Sequence, residues 1–154
     1  LAEALYYNDD NIAVSSGPLP PKVGQTSSYR IYWTIGNALH PIENVSLSAN
    51  LPTNINFSDK IDLNQGEIKF SPDTRQVVWE IKLIPANIGQ IEASFEINVT
   101  PSQEDLNKIL TLFGQSNLTA TDKQLGSALD LTARPLTTNL DGDPIAEGKG
   151  LVTN

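Results

Sequence analysis

Alternation of apolar and polar residues in four segments limits the fold of this chain more than any other feature. The segments are 28–35, 45–51, 76–83 and 91–99. In the first, the apolar set is Tyr29, Ile31, Trp33 and Ile35. Successive side chains of a β-strand point to opposite faces, so each segment predicts a strand with one apolar and one solvated face. Antiparallel sheets that pack on a single core have this pattern, and the sequence therefore predicts an all-β fold.

Weaker signals add further strands. Segment 66–70 and the strand at 76–83 predict a hairpin, because Pro72 stands at a turn position between them. Segments 117–121 and 128–132 predict another hairpin, with Gly126 in its loop. A short edge strand is expected at 11–15, and 1–7 is compatible with a strand or a helical turn. Together these signals predict an immunoglobulin-like, two-sheet antiparallel β-sandwich of about seven to nine strands.

One stretch, 102–113, fits two structures. Leu106, Ile109, Leu110 and Phe113 follow a helical spacing, and Ser102 with Asp105 resembles a capping box. Residues 109–113 are equally compatible with a strand. We favour a helical turn near 103–107 followed by a strand.

Length and composition indicate a single domain from a longer protein. The 154 residues suit one domain, which we place at 1–140 with 1–10 as a leading segment. Pro, Gly and Asp are frequent in 141–154, which predicts a C-terminal linker or exit segment. Methionine is absent and the chain opens Leu-Ala-Glu, so we interpret it as a module of a larger polypeptide. Cysteine is also absent, which excludes disulfides and thiolate chemistry.

The charge and hydropathy exclude two classes of partner. The net charge is −8 and the basic residues are scattered, so no nucleic-acid partner is expected. No apolar run approaches the ~20 residues of a membrane helix, so no membrane insertion by this segment is expected.

Catalytic signals are weak. The single histidine, His40, falls in a turn and is interpreted as solvated rather than as a catalytic base. The acidic pairs at 9–10, 104–105 and 141/143 are interpreted as solvated loop residues. We therefore predict no enzyme activity and assign no catalytic, cofactor-binding or metal site residues. Structural calcium at 7–11 and 141–143 is the remaining cofactor hypothesis, since those loops are rich in Asp and Asn.

Two further features are open to more than one interpretation. Asn-x-Ser/Thr sequons begin at Asn44, Asn56, Asn98 and Asn117, and carry meaning only in a glycosylating secretory pathway. Trp33 and Trp79 fall on inward strand faces and are predicted to pack in the core, with Trp79 against Trp33 or Phe95. Tyr32 with Arg30 is the candidate exposed aromatic patch on a strand.

The order of these motifs resembles a known family. The motifs run Pro-Pro-Lys-Val-Gly-Gln at 20–25, Tyr-Arg-Ile-Tyr-Trp-Thr-Ile-Gly-Asn at 29–37, Ile-Glu-Asn-Val at 42–45 and Leu-Pro-Thr-Asn-Ile at 51–55, then Val-Val-Trp-Glu-Ile at 77–81 and Phe-Glu-Ile-Asn-Val-Thr-Pro at 95–101. They resemble the conserved-repeat domain of prokaryotic cell-surface proteins (domain of unknown function eleven), an immunoglobulin-like sandwich. Asn54 stands where that family usually has Gly, and the resemblance covers about 14–100.

The resemblance implies an extracellular structural or adhesive module and carries over no ligand-binding residues. We expect a non-catalytic spacer or stalk unit of a larger cell-surface or envelope protein, whose partners are neighbouring domains of the same polypeptide. The alternative is an adhesin-type module that recognises a surface protein or a glycan through loops at one end of the sandwich, such as 37–43, 53–65 and 101–108.

Overall fold

Eleven strands and one short helical turn make up the regular structure of residues 1–36 and 39–154, which the computed structural model describes. The strands are β1 (Ala2–Leu5), β2 (Ser27–Ile35), β3 (Ile42–Asn50), β4 (Ile55–Leu63), β5 (Glu67–Ser71), β6 (Gln76–Ile84), β7 (Ile91–Val99), β8 (Thr111–Phe113), β9 (Ser116–Asp122), β10 (Ala128–Ala133) and β11 (Leu136–Thr137). A 3-10 turn spans Gln103–Asp105.

The strands form two principal sheets that face each other across one core. One sheet has four strands in the order β1-β2-β7-β4, and the other has five in the order β10-β9-β3-β6-β5. A small third sheet pairs β11 with β8. Every pairing is antiparallel. The predicted all-β two-sheet sandwich is therefore confirmed, and the short strands β1, β8 and β11 raise the count above the predicted seven to nine.

The core lies between the inward faces of the alternating strands. Trp33 is fully buried, and its ring centroid lies 5.4 Å from those of both Phe95 and Phe113. Its indole N–H donates to the Ser116 hydroxyl across the sandwich at 2.9 Å. Trp79 is fully buried as predicted, but none of the aromatic pairs among the described residues includes it. The aromatic centre of the core is therefore built on Trp33.

The structure contains one nine-residue strand that the sequence analysis assigned to a loop. β4 occupies most of 53–65 and pairs with β7 at the edge of its sheet. Its register against β7 shifts between Ser58 and Ile61. A β-bulge leaves residues unpaired, and here it coincides with the polar run 58–60, in which Asp59 stands where the alternation requires an apolar residue. The loop assignment was wrong for this reason.

Two ambiguous segments are resolved. In 102–113, the helical turn and the following strand are both present, as we favoured. The Asp105 carboxylate accepts hydrogen bonds from the backbone N–H and the hydroxyl of Ser102, at 2.8 and 3.0 Å. Near the start of the chain, β1 is a strand, while the edge strand expected at 11–15 is reduced to one bridge between Tyr7 and Ala13.

The segment 141–154, expected to be a linker, instead packs against the sandwich. Ala146 and Val152 are fully buried, and Thr153 forms a parallel bridge with Lys22. Gly150 lies so close to Asn139 that a Cβ would overlap the Asn139 backbone. The small residues that suggested flexibility allow this close approach of two backbone segments. The composition-based boundary at residue 140 therefore does not match the packing.

Candidate functional site

The single histidine forms a polar pair at one end of the sandwich. His40 Nδ1 lies 2.8 Å from Asp122 Oδ2. The other Asp122 oxygen accepts the backbone N–H groups of Gln124 and Leu125, at 2.9 and 2.8 Å, in the turn between β9 and β10. The hydrogen bond from the Leu125 N–H lowers the pKa of Asp122, and the contact with His40 also lowers it. This arrangement resembles the base and orienting acid of a triad, but the described residues place no hydroxyl nucleophile in hydrogen-bond contact with His40.

The two candidate calcium segments are brought together by one buried carboxylate. Asp143 is 2% exposed, and its Oδ2 accepts the N–H groups of Tyr6 and Tyr7 at 2.7 and 2.8 Å. Its Oδ1 accepts those of Ile145 and Ala146 at 2.9 and 2.7 Å. Burial raises the pKa of Asp143, but the four N–H donors outweigh it and leave the pKa below its usual value.

Four donors occupy the lone pairs that a cation would need. The remaining carboxylate of this loop, Asp141, faces Arg134 at 3.4 Å. No group of three or more acidic, His or Cys side chains with metal-binding geometry occurs among residues 1–36 and 39–154. The geometry of Asp143 therefore indicates a structural clamp between the first strand and the last segment, a role that the calcium hypothesis did not anticipate.

A second polar cluster covers the outer face of the four-stranded sheet. Arg30, the partner of the predicted aromatic patch at Tyr32, donates to the Ser94 hydroxyl through Nε and Nη2, at 3.0 and 2.8 Å, and to the Lys60 carbonyl at 2.8 Å. The Lys60 amine lies 2.9 Å from the buried Glu96 carboxylate. Arg30 is thus held by neighbouring strands, and Tyr32 beside it is only half-exposed. These contacts tie β2, β7 and β4 together across their outer face.

Loop and surface features give little support to a recognition site. All ten aromatic side chains are buried or half-buried. Of the three loops proposed for binding, 53–65 is mostly strand, and 37–43 includes residues 37 and 38, which lie outside the described residues. Among the sequon asparagines, Asn44, Asn56 and Asn117 are exposed and Asn98 is half-buried. Nowhere in the described part of the chain is there a helix long and apolar enough to span a membrane.

The two terminal segments are attached at opposite ends of the sandwich. The Leu1 amine and carbonyl bond to Thr34, near the end of β2. Thr153 exchanges backbone hydrogen bonds with Pro21 and Val23, just before the start of β2, and Gly24 bonds there to Pro101. β2 has nine residues, and a strand of that length spans about 30 Å. The chain therefore enters the fold at one end of the strands and leaves it at the other.

Comparison with known proteins gives matches in structure alone. No protein-family profile matches the chain, and no curated protein sequence matches it. Among solved structures, it is similar to a variant of the major pilin subunit of Bacillus cereus, with a TM-score of 0.54 and 11% identity over 89% of this chain and 47% of that one. It is also similar to the full-length major pilin of Corynebacterium diphtheriae, with a TM-score of 0.53 and 8% identity over 88% of this chain and 34% of that one.

A third similar structure contains the N-terminal domains of a type V pilus tip protein from Porphyromonas gingivalis. Its TM-score is 0.51, with 11% identity over 64% of this chain and 22% of that one. The chain thus spans less than half the length of each of these three structures. At such low identity the likeness shows a shared fold, that of β-sandwich domains found in pilus subunits.

Proposed function

We propose that this chain is a non-catalytic structural module, a spacer or stalk unit, of a larger extracellular cell-surface or envelope protein. The observation that carries the proposal is the attachment of the first and last segments at opposite ends of the strands, at Thr34 and at Val23. A force applied through these segments runs parallel to the strands. All hydrogen bonds between β1 and β2 are then loaded together rather than one after another.

The contacts of both segments fit a load-bearing role. Asp143 joins the last segment to the residues directly after β1 through the N–H groups of Tyr6 and Tyr7. Charge-assisted hydrogen bonds of this kind are about twice as strong as neutral ones. The likeness to pilus-subunit domains and the motif order of the conserved-repeat domain support the same class of module, an immunoglobulin-like domain among neighbouring domains of one polypeptide.

The adhesin-type alternative has weaker support. Glycan and protein recognition by loops at one end of a sandwich favours exposed aromatic anchors, and every aromatic residue here is at least half-buried. The non-catalytic assignment is supported by the contacts of His40 and Asp143, since both side chains engage structural partners.

Single-molecule pulling tests the proposal, and the chain suits it because it has no native cysteine. Handles attached through Leu1→Cys and Asn154→Cys load the strands along their length. Handles at Leu1→Cys and Gln124→Cys serve as the control, since both positions lie at the same end and the force peels β1 from β2 one bond at a time. We expect a higher unfolding force for the first pair, with a single length gain of about 500 Å.

An unfolding force for the 1/154 pair that is equal to or below that of the 1/124 pair would contradict the spacer role. Stepwise extension at low force would contradict it as well, because a stalk unit must remain folded under tension.

A further inference from the structure

One side of the sandwich is open to solvent. Between the edge strands β1 and β10 lies a cavity of about 370 Å³, whose walls are formed by 1–2 and 129–133. Trp33, Ile42 and Leu118 line its floor. A second space of about 420 Å³ lies between 1–4 and 132–137 and shares residues 1–2 and 132–133 with the first. We call these two adjoining spaces, bounded by 1–4 and 129–133, the lateral groove.

The two sheets differ in width at the lateral groove. The five-stranded sheet ends in β10, whereas the opposing sheet has four strands and ends in β1. Leu131 of β10 stands opposite Leu118 of β9 and therefore on the same inward face. Leu118 is 8% exposed, but Leu131 is 66% exposed. The inward face of β10 is thus uncovered at the position where a further strand beside β1 would lie.

The other side of the sandwich is closed. There the edge strands are β4 and β5, and the rings of Phe57 and Phe70 stack between them with centroids 5.0 Å apart. The Arg75 guanidinium lies over the Phe70 ring at 5.9 Å. The open groove is therefore a property of the β1/β10 side and not of sandwich edges in this chain generally.

β1 has free hydrogen-bonding groups along the lateral groove. Leu1 and Thr34 form a hydrogen-bonded pair, and the register places Ala2 opposite Trp33 and Ala4 opposite Ile31. Hydrogen-bonded and non-bonded pairs alternate in an antiparallel ladder, so the N–H and C=O groups of Ala2 and Ala4 point away from β2. In the described part of the chain these groups make no other hydrogen bond. Ala4 is only 3% exposed and β11 packs beside β1, so Ala2 is the residue whose edge groups an added segment can reach. Unpaired edge groups beside apolar surface are a point at which an extended segment can pair.

The charges beside this edge favour a basic partner. Glu3 lies between Ala2 and Ala4 on the opposite face of β1. Burial raises the pKa of Glu3, the nearby carboxylates of Asp9 and Glu92 raise it further, and the Leu1 amine, which lowers it, does not outweigh them. A cationic side chain directly across from Glu3 on an added strand would relieve this repulsion, whereas an acidic one would increase it.

We propose that the lateral groove binds an extended peptide segment that pairs with the free edge of β1 at Ala2. Its apolar side chains face Leu131 and Leu118, and its alternate basic side chains lie beside Glu3. The inference concerns a binding surface and stands independently of the proposed spacer role.

A titration with a defined peptide tests this inference. The probe is an acetylated peptide of alternating valine and lysine, about nine residues long so that it extends over about 30 Å. A matched peptide carries glutamate in place of lysine. We expect saturable binding of the lysine peptide by isothermal titration calorimetry, and binding at least about tenfold weaker for the glutamate peptide.

Two variants locate the site. In Ala2→Pro the lost N–H is one that points away from β2, so the β1–β2 ladder stays intact while the added strand loses its partner. Leu131→Glu places a charge on the exposed inward face of β10. The matched control is Leu125→Glu, since Leu125 is 68% exposed but lies in the β9–β10 turn. We expect about tenfold weaker binding in both groove variants and a change within about twofold in the control, with melting temperatures confirming that all three are folded.

Three results would overturn the inference. They are no saturable binding of the lysine peptide, equal binding of the two peptides, and binding that neither groove variant weakens. Concentration-dependent dimerisation that Leu131→Glu abolishes would assign the groove to a second copy of the chain and would likewise overturn it.

Discussion

Removing the Asp143 carboxylate tests whether the last segment is part of the folded unit. In Asp143→Ala, four backbone N–H groups lose their acceptor at once. Two of these donors belong to the segment itself, Ile145 and Ala146, and two belong to the residues after β1, Tyr6 and Tyr7. The variant therefore acts on the local turn and on the connection between the two ends of the chain.

The expected loss of stability follows from the burial of the donors. The hydrogen bonds from Tyr6 and Ala146 are buried, while those from Tyr7 and Ile145 are partly buried and can be replaced by water. A buried donor left unsatisfied costs about 1–3 kcal/mol, so the two together cost about 2–6 kcal/mol. We expect the free energy of unfolding to fall by about 4 kcal/mol, which is a large part of the stability of a single domain.

Urea unfolding at neutral pH, followed by tryptophan fluorescence and by far-UV circular dichroism, measures this change. The matched control is Asp141→Ala, two residues away, since Asp141 is exposed and faces Arg134 at 3.4 Å. Surface ion pairs contribute about 0–1 kcal/mol, so the control should unfold close to the parent. A loss below about 1 kcal/mol in Asp143→Ala, or equal losses in the two variants, would refute the clamp.

Two further predictions concern the stability of the fold at low pH and the packing of its core. Because the pKa of Asp143 is lowered in the folded state, its contribution to stability is present above the unfolded pKa of about 4 and is lost as the pH falls through the folded pKa. The urea midpoint should therefore drop as the pH falls below about 4. Asp143→Asn, measured against the parent over the same range, should show a smaller drop, and parallel pH profiles would contradict this assignment. Trp79→Ala should cost about 3–5 kcal/mol because the side chain is fully buried, and an unchanged urea midpoint would be incompatible with a core position.

The sequence predicted those strands whose residue pattern is determined by burial of one face alone. In β2, β3, β6 and β7 the apolar residues face the core and the opposite face is mainly polar, so their alternation follows directly from which face is in the core. β4 escaped the same reasoning because its register shift coincides with the polar run 58–60, which divides its apolar residues into two short pairs. Edge strands with irregular register carry a weaker pattern, since only part of one face is buried.

The role of Asp143 could not be predicted for a different reason. Its sequence neighbours, Gly142 and Pro144, are typical of exposed turns, and its most distant donors, Tyr6 and Tyr7, are 137 and 136 residues away. A local pattern contains no information on a contact of that separation. The contact between the Trp33 and Phe113 rings could not be predicted either. Phe113 lies on a strand of only three residues, which is too short to show a pattern in the sequence.

β1 connects the two proposals physically. It is held by β2 along one edge and by the clamp at Asp143 just after its end, while the backbone groups of Ala2 on its other edge have no partner among the described residues. Under tension through Leu1, its stability depends on the number of hydrogen bonds that must break together. A segment paired at Ala2 would add hydrogen bonds on the second edge of β1, and its apolar side chains would cover Leu131. Occupation of the groove would therefore strengthen the strand through which force enters the module. A peptide bound beside β1 should raise the unfolding force measured between residues 1 and 154. The unfolding force between residues 73 and 124 should stay unchanged, because that path bypasses β1.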